Sequence, residues 1–208
     1  MSGFVPRVAF GVLAAWLVLV PAPARADPVI VALGDSLTAG LGVAADETYP
    51  ARLQARLVRE GYAYRVVNAG VTGDTTAGGL RRVDWVLRAG PEIVIVALGA
   101  NDGLRGQSPK AMRANLDEIV ARLSAAGARI LLAGMRLPPN YGAEFTRQFA
   151  AVFPAVAQHA RIAFMPFLLD GVAADPRLNQ PDGLHPTAAG YQVIADRLWP
   201  YLRPLLRR

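Results

Sequence analysis

The sequence predicts an α/β protein: a three-layer α/β/α sandwich around a five-stranded parallel sheet. Two observations carry that prediction. Five short apolar runs, each bounded by Gly, Pro or Asn, alternate with longer segments of helical spacing, and the runs are apolar almost throughout rather than at every second residue. Alternation of this kind implies right-handed βαβ crossovers, and a strand without a polar face belongs to a sheet covered on both sides.

The first run, residues 29–33, leads into Gly34-Asp35-Ser36-Leu37. A helix follows, marked by Tyr49, Leu53 and Leu57 at helical intervals, and then a second run, 64–67. After it comes a Gly/Thr-rich loop containing Gly70-Val71-Thr72-Gly73-Asp74, and then Leu80, Val83 and Leu87 predict the next helix as one segment. The third run, 93–98, opens into Gly99-Ala100-Asn101-Asp102 and a helix with Met112, Leu116, Ile119 and Leu123 on one face. Run 129–132 precedes a helix carrying Phe145, Phe149 and Val152. The last run is 162–165, and Asp182-Gly183-Leu184-His185 then stands just before a final helix that starts near Thr187, turns Tyr191, Ile194 and Leu198 inward and runs toward Pro200.

With 208 residues and 53% hydrophobic content, the chain suits a single domain, residues 27–208. Residues 1–26 read as a secretory signal peptide. Arg7 precedes an apolar stretch at 8–20, and Ala24-Arg25-Ala26 supplies a small-residue cleavage site ahead of Asp27. The apolar stretch is shorter than the roughly 20 residues a membrane-spanning helix needs, so export with cleavage is the expectation and an uncleaved anchor the alternative. The mature protein would be periplasmic or secreted. Cysteine is absent, which removes disulfides, thiolate metal sites and lipoprotein acylation together.

Losing Arg7 and Arg25 with the leader lowers the net charge from +6 to +4. Arginines such as Arg52, Arg56 and Arg59 are spread along helical segments, as on a solvated face; transient attraction to anionic phospholipid or polysaccharide is the alternative reading. No nucleic-acid-binding motif is present, and no heptad or apolar stripe indicates an oligomeric state.

Ser36, Gly73, Asn101 and His185 all fall where open parallel sheets gather ligands, at the carboxyl ends of strands. Serine is a poor nucleophile without a base. The chain has two histidines. His159 lies in a helical segment away from any such loop, whereas His185 follows Asp182 by three residues, so one tight loop can present a carboxylate to Nδ1 while Nε2 faces a serine. Taken alone, Asp182 and His185 would read as a turn-capping aspartate beside a stray histidine, Gly73 as a turn residue and Asn101-Asp102 as a helix cap. Together they supply a Ser36, His185, Asp182 triad with oxyanion donors from the Ser36 N–H, the Gly73 N–H and the Asn101 side-chain amide. The loop from Gly70 to Gly79 lacks the Gly-Lys-Ser/Thr ending of a P-loop, and the Rossmann glycine pattern and the Gly-x-Ser-x-Gly elbow are also missing.

These four motifs, in order along the whole mature chain, resemble the SGNH, or GDSL, hydrolases. Within that family, the stretch from Gly99 to Gly106 and Arg136-Leu137-Pro138-Pro139-Asn140-Tyr141-Gly142 look like the periplasmic bacterial thioesterase, lysophospholipase and arylesterase branch. Ala100, where the branch often has Gly, is a mild departure between functional positions. The resemblance implies a flavodoxin-like sheet, no metal, no cofactor, and a serine esterase acting on small acyl esters, thioesters or lysophospholipids. It also implies that the segment 136–142 borders the acyl site; Leu137, Pro138, Tyr141 and Phe145 offer apolar surface there. Two rival readings remain open: a carbohydrate O-deacetylase of the same family, and a non-catalytic flavodoxin-like module holding a phosphate or sugar at the Gly70 to Gly79 loop.

Overall fold

The computed structural model describes residues 27–208 together with Met1 and Gly3; the leader expected over residues 1–26 otherwise lies outside the described residues. Five strands form one all-parallel sheet: β1 (Val29–Gly34), β2 (Arg65–Gly70), β3 (Pro91–Ala97), β4 (Arg129–Ala133) and β5 (Ala163–Met165). Their spatial order is β2-β1-β3-β4-β5. The chain steps one way from β1 to β2 and the other way from β2 onward. With right-handed crossovers that reversal sends helices to both faces of the sheet.

The helices are α1 (Ser36–Ala39), α2 (Tyr49–Arg59), α3 (Thr76–Arg81), α4 (Val83–Leu87), α5 (Ala100–Leu104), α6 (Pro109–Ala125), α7 (Ala143–Ala160) and α8 (Ala188–Leu202). On one face α2 packs with α8; on the other, α6 packs with α7 and α3. Ile30, Val31, Leu33, Ile93, Ile95 and Leu131 are fully buried between the layers, each worth roughly 1.5–3 kcal/mol of transfer free energy. Leu53 and Leu57 from α2, Leu116 and Leu123 from α6, and Tyr191, Ile194 and Leu198 from α8 meet them with no exposure of their own. These are the apolar positions whose spacing marks the helices in the sequence.

Two expectations change in detail. The segment carrying Leu80, Val83 and Leu87 is two short helices, because Arg82 takes φ −106°, ψ 11° and breaks the run between them. Its guanidinium reaches back to bond the carbonyls of Ala69 at 2.6 Å and Gly34 at 2.8 Å, tying the ends of β2 and β1 together. The final helix begins after Thr187, whose hydroxyl accepts the Gly190 N–H, and it continues two residues beyond Pro200.

Candidate active site

Strand β1 ends at Gly34, and the chain turns into α1 at once. Nothing larger than glycine fits at that turn: a Cβ on Gly34 would stand 1.9 Å from Thr38 Oγ1 and 2.9 Å from the Ala97 carbonyl oxygen. Asp35 caps α1, its Oδ1 accepting the Leu37 N–H at 2.9 Å. Ser36 is thereby the first residue of a helix, so its own N–H has no intrahelical acceptor.

The long segment after β5 returns to the same place. Its carboxyl end forms a tight loop in which Asp182 Oδ1 accepts the N–H groups of Leu184 at 2.9 Å and His185 at 3.0 Å, while Asp182 Oδ2 meets His185 Nδ1 at 2.6 Å. These bonds, the His185 backbone N–H first, hold the Asp182 carboxyl well down, at about 2. A carboxylate at Nδ1 accepts a hydrogen bond from the ring, which keeps the proton on Nδ1 and leaves Nε2 as an acceptor. Nε2 lies 2.9 Å from Ser36 Oγ, which can donate to it. Ser36 is only 8% exposed.

On the other side of Ser36, the loop after β2 brings Gly73, at φ 77°, a left-handed conformation that glycine adopts without strain. Arg105 Nη2 donates to the Gly73 carbonyl at 2.9 Å and fixes that loop from outside. Asn101, in α5 after β3, donates from Nδ2 to the Asp74 carbonyl at 3.0 Å and lies 3.3 Å from Asp35 Oδ2. Its neighbour Asp102 is buried and accepts both the N–H and the hydroxyl of Thr76, at 2.8 and 2.5 Å. That pair locks α3, which follows the Gly73 loop, to α5, which carries Asn101.

Ser36, Gly73, Asn101 and His185 line one cavity of about 560 Å³. It sits beside the β1/β3 boundary, where the strand order reverses, the usual ligand position in this kind of sheet. Its remaining wall is mainly apolar and includes Leu104, Met135, Leu137, Pro138 and Phe167. Of the four residues that offered apolar surface in sequence, Leu137 and Pro138 line it. Tyr141 and Phe145 do not; Tyr141 instead donates from its hydroxyl to the Leu104 carbonyl at 3.3 Å, and Phe145 packs toward the core. His159 is exposed near the end of α7, away from the cavity. Among the described residues, no group of three or more His, Asp or Glu side chains is placed to hold a metal ion.

Sequence reasoning missed Asp35, Asp74, Arg82, Asp102 and Arg105. Asp35 carried a readable signal, an N-capping residue ahead of a helical Ser-Leu-Thr-Ala stretch. For Arg82 there was none, since its partners lie up to 48 residues away. Burial pushes the Asp35 carboxyl up to about 6, against the lowering effect of the Leu37 N–H, the His185 charge and the Asn101 amide.

A family model for the GDSL-like lipase/acylhydrolase family matches residues 32–193. Esterase TesA of Pseudomonas aeruginosa is 44% identical over 191 residues, covering 91% of this chain and 94% of that protein. Thioesterase 1/protease 1/lysophospholipase L1 of Escherichia coli (strain K12) is 37% identical over 192 residues, covering 92% and 91%. Among solved structures, the psychrotrophic esterase EstA from Pseudoalteromonas sp., inhibited by monoethylphosphonate, aligns with a TM-score of 0.81 at 34% identity, over 86% of this chain and 98% of that one.

Proposed function

The chain belongs to the GDSL-like lipase/acylhydrolase family and is an esterase of that family; on that premise we propose that it cleaves acyl esters and thioesters through a serine acyl-enzyme. The observation that carries the reading is the unbroken series of contacts from Asp182 through His185 to Ser36, opening on an apolar cavity. His185 Nε2 takes the proton of Ser36 Oγ as the oxygen attacks the acyl carbonyl. Asp182 stays ionised and stabilises the imidazolium. Negative charge then develops on the former carbonyl oxygen, where the N–H groups of Ser36 and Gly73 and the Asn101 amide serve as donors. Collapse transfers the His185 proton to the leaving alcohol or thiol, and water activated by His185 releases the acid and restores Ser36.

The relatives named for esterase, thioesterase and lysophospholipase activity support substrates of that range, and the apolar wall supports an acyl chain longer than acetyl. Export with cleavage before Asp27 is supported by the composition of residues 1–26; the exported protein should then begin at Asp27 in its intact mass. The central test is hydrolysis of p-nitrophenyl esters from acetyl to palmitoyl by the mature protein and by Ser36→Ala. A maximum at medium or long chains, lost by at least about a thousandfold in the variant, is expected. A sharp acetyl preference would favour carbohydrate deacetylation, and activity retained in Ser36→Ala would remove Ser36 as nucleophile.

A further inference from the structure

We propose that Asp35 is a positioning residue for acyl transfer at this site: its buried carboxylate, in ionised form, orients the Asn101 amide as an oxyanion donor while capping the turn that carries Ser36. The inference rests on the reading of Ser36 as nucleophile.

An amide nitrogen has two hydrogens to place. One of those on Asn101 goes to the Asp74 carbonyl at 3.0 Å, which fixes the plane of the group. The other points toward Asp35 Oδ2 across 3.3 Å, a long contact that holds direction without holding tightly. An oxygen arriving between Ser36 and Gly73 can take or share that hydrogen at little cost. The opposite oxygen of Asp35 is already occupied, because Oδ1 accepts the Leu37 N–H at 2.9 Å. Both carboxylate oxygens therefore face donors, and a proton on either one sets a hydrogen against a hydrogen. The ionised form accepts both hydrogens without that conflict and binds them more strongly.

The surroundings oppose that form. Asp35 is fully buried, and among the described residues no cation stands within ion-pair reach of it. From the loop before α8, His185 favours the anion when protonated; from the loop after β2, the Asp74 charge disfavours it. Tyr49 on α2 and Tyr191 on α8 are neutral, their hydroxyls pushed up by burial and by the Asp35 charge itself. The nearby cation, Arg82, is spent on Asp74 and on the Ala69 and Gly34 carbonyls. Protonation of Asp35 consequently falls in the weakly acid range, at about 6. Two groups must then be free of a proton for turnover: His185, to act as base, and Asp35, to hold Asn101.

The acid limb of log kcat/KM against pH, which reports ionisations of the free enzyme, separates this from a purely structural role. In the wild type its slope tends to 2 as pH falls; in Asp35→Asn it falls to 1. The same variant loses about 10- to 100-fold in kcat at pH 8 with KM changed less than about threefold, because its amide presents a donor to Asn101. Since Asp35 acts through Asn101, the double variant Asp35→Asn/Asn101→Ala is no slower than Asn101→Ala alone. A wild-type slope of 1, a slope unaltered by the substitution, or effects that multiply in the double variant would each overturn the proposal. The wild-type slope decides the matter even if Asp35→Asn fails to fold. Labelling by a p-nitrophenyl phosphonate, run alongside, keeps the two readings apart: wild-type protein that is not labelled counts against Ser36 as nucleophile, whereas labelled wild type with an unchanged slope counts against Asp35 alone.

Discussion

The two ends of the sheet treat charge in opposite ways. At the amino end, Glu92 on β3 is paired with Arg129 on β4 and accepts the Tyr64 hydroxyl at 2.5 Å. Arg129 also donates to the Leu205 carbonyl, and Tyr64 accepts the Arg207 N–H at 3.1 Å, so the cluster ties the C-terminal segment to the starts of the strands. Glu92 and Arg129 are each other's counter-charge. At the carboxyl end, Arg82 pairs with Asp74 at 2.7 Å, but Asp35 is buried beside Ser36 with no cation in ion-pair reach among the described residues. A paired cluster fixes backbone at low electrostatic cost, whereas an isolated buried carboxylate is a cost that stability alone does not explain. The difference separates an end that fastens strands together from the end that carries the proposed chemistry.

The largest effect that sharpens this contrast is on catalysis. If Asn101 is the proposed oxyanion donor, Asn101→Ala should lower kcat by roughly a hundred- to a thousandfold with KM little changed; a steady-state comparison on one p-nitrophenyl ester checks it, and a loss confined to KM would place Asn101 outside the oxyanion site. Next is the linkage of stability to pH. Asp35 titrates at 3.8 in the unfolded chain and at about 6 in the folded one. A raised carboxyl value means the folded state retains the proton longer, so its stabilising share is complete below 3.8 and is lost as pH rises through about 6. Between pH 4 and pH 7, the unfolding free energy of Asp35→Asn relative to wild type should therefore rise by roughly 2 kcal/mol. Urea unfolding at the two pH values measures it, and a constant difference would show that Asp35 is not perturbed.

The smallest effect is at the opposite end. Arg129→Met breaks the paired cluster and should cost about 1–3 kcal/mol of stability, with kcat within about twofold of wild type. Denaturant unfolding and a turnover assay on the same preparation test it. A catalytic defect as large as that of Asn101→Ala would erase the distinction between the two ends.

Much of this organisation was legible in the chain. The five apolar runs became the five strands within three residues at each end, since a sheet covered on both faces leaves an unbroken apolar signature. Asp182 and His185 were legible as a pair because three residues in one turn fix their meeting locally. The break at Arg82 was not, because Leu80, Val83 and Leu87 keep helical spacing on either side of a residue whose departure is set by partners on two strands. Tyr141 and Phe145 were apolar candidates for the cavity wall, and only the course of the chain after Pro138 decides that one supports Leu104 and the other the core.

The sequence by itself determined the layered α/β architecture, the order of the four motifs and the local pairing of Asp182 with His185, all consequences of periodicity and short-range turn geometry. The tertiary structure alone decided that His185 reaches Ser36 across 149 residues of chain, that Asn101 is held between Asp74 and Asp35, and that Asp35 has no counter-charge among the described residues. Those outcomes depend on the strand order β2-β1-β3-β4-β5, which brings distant loops to one edge, and on helices covering both faces, which remove the water that would otherwise solvate a carboxylate.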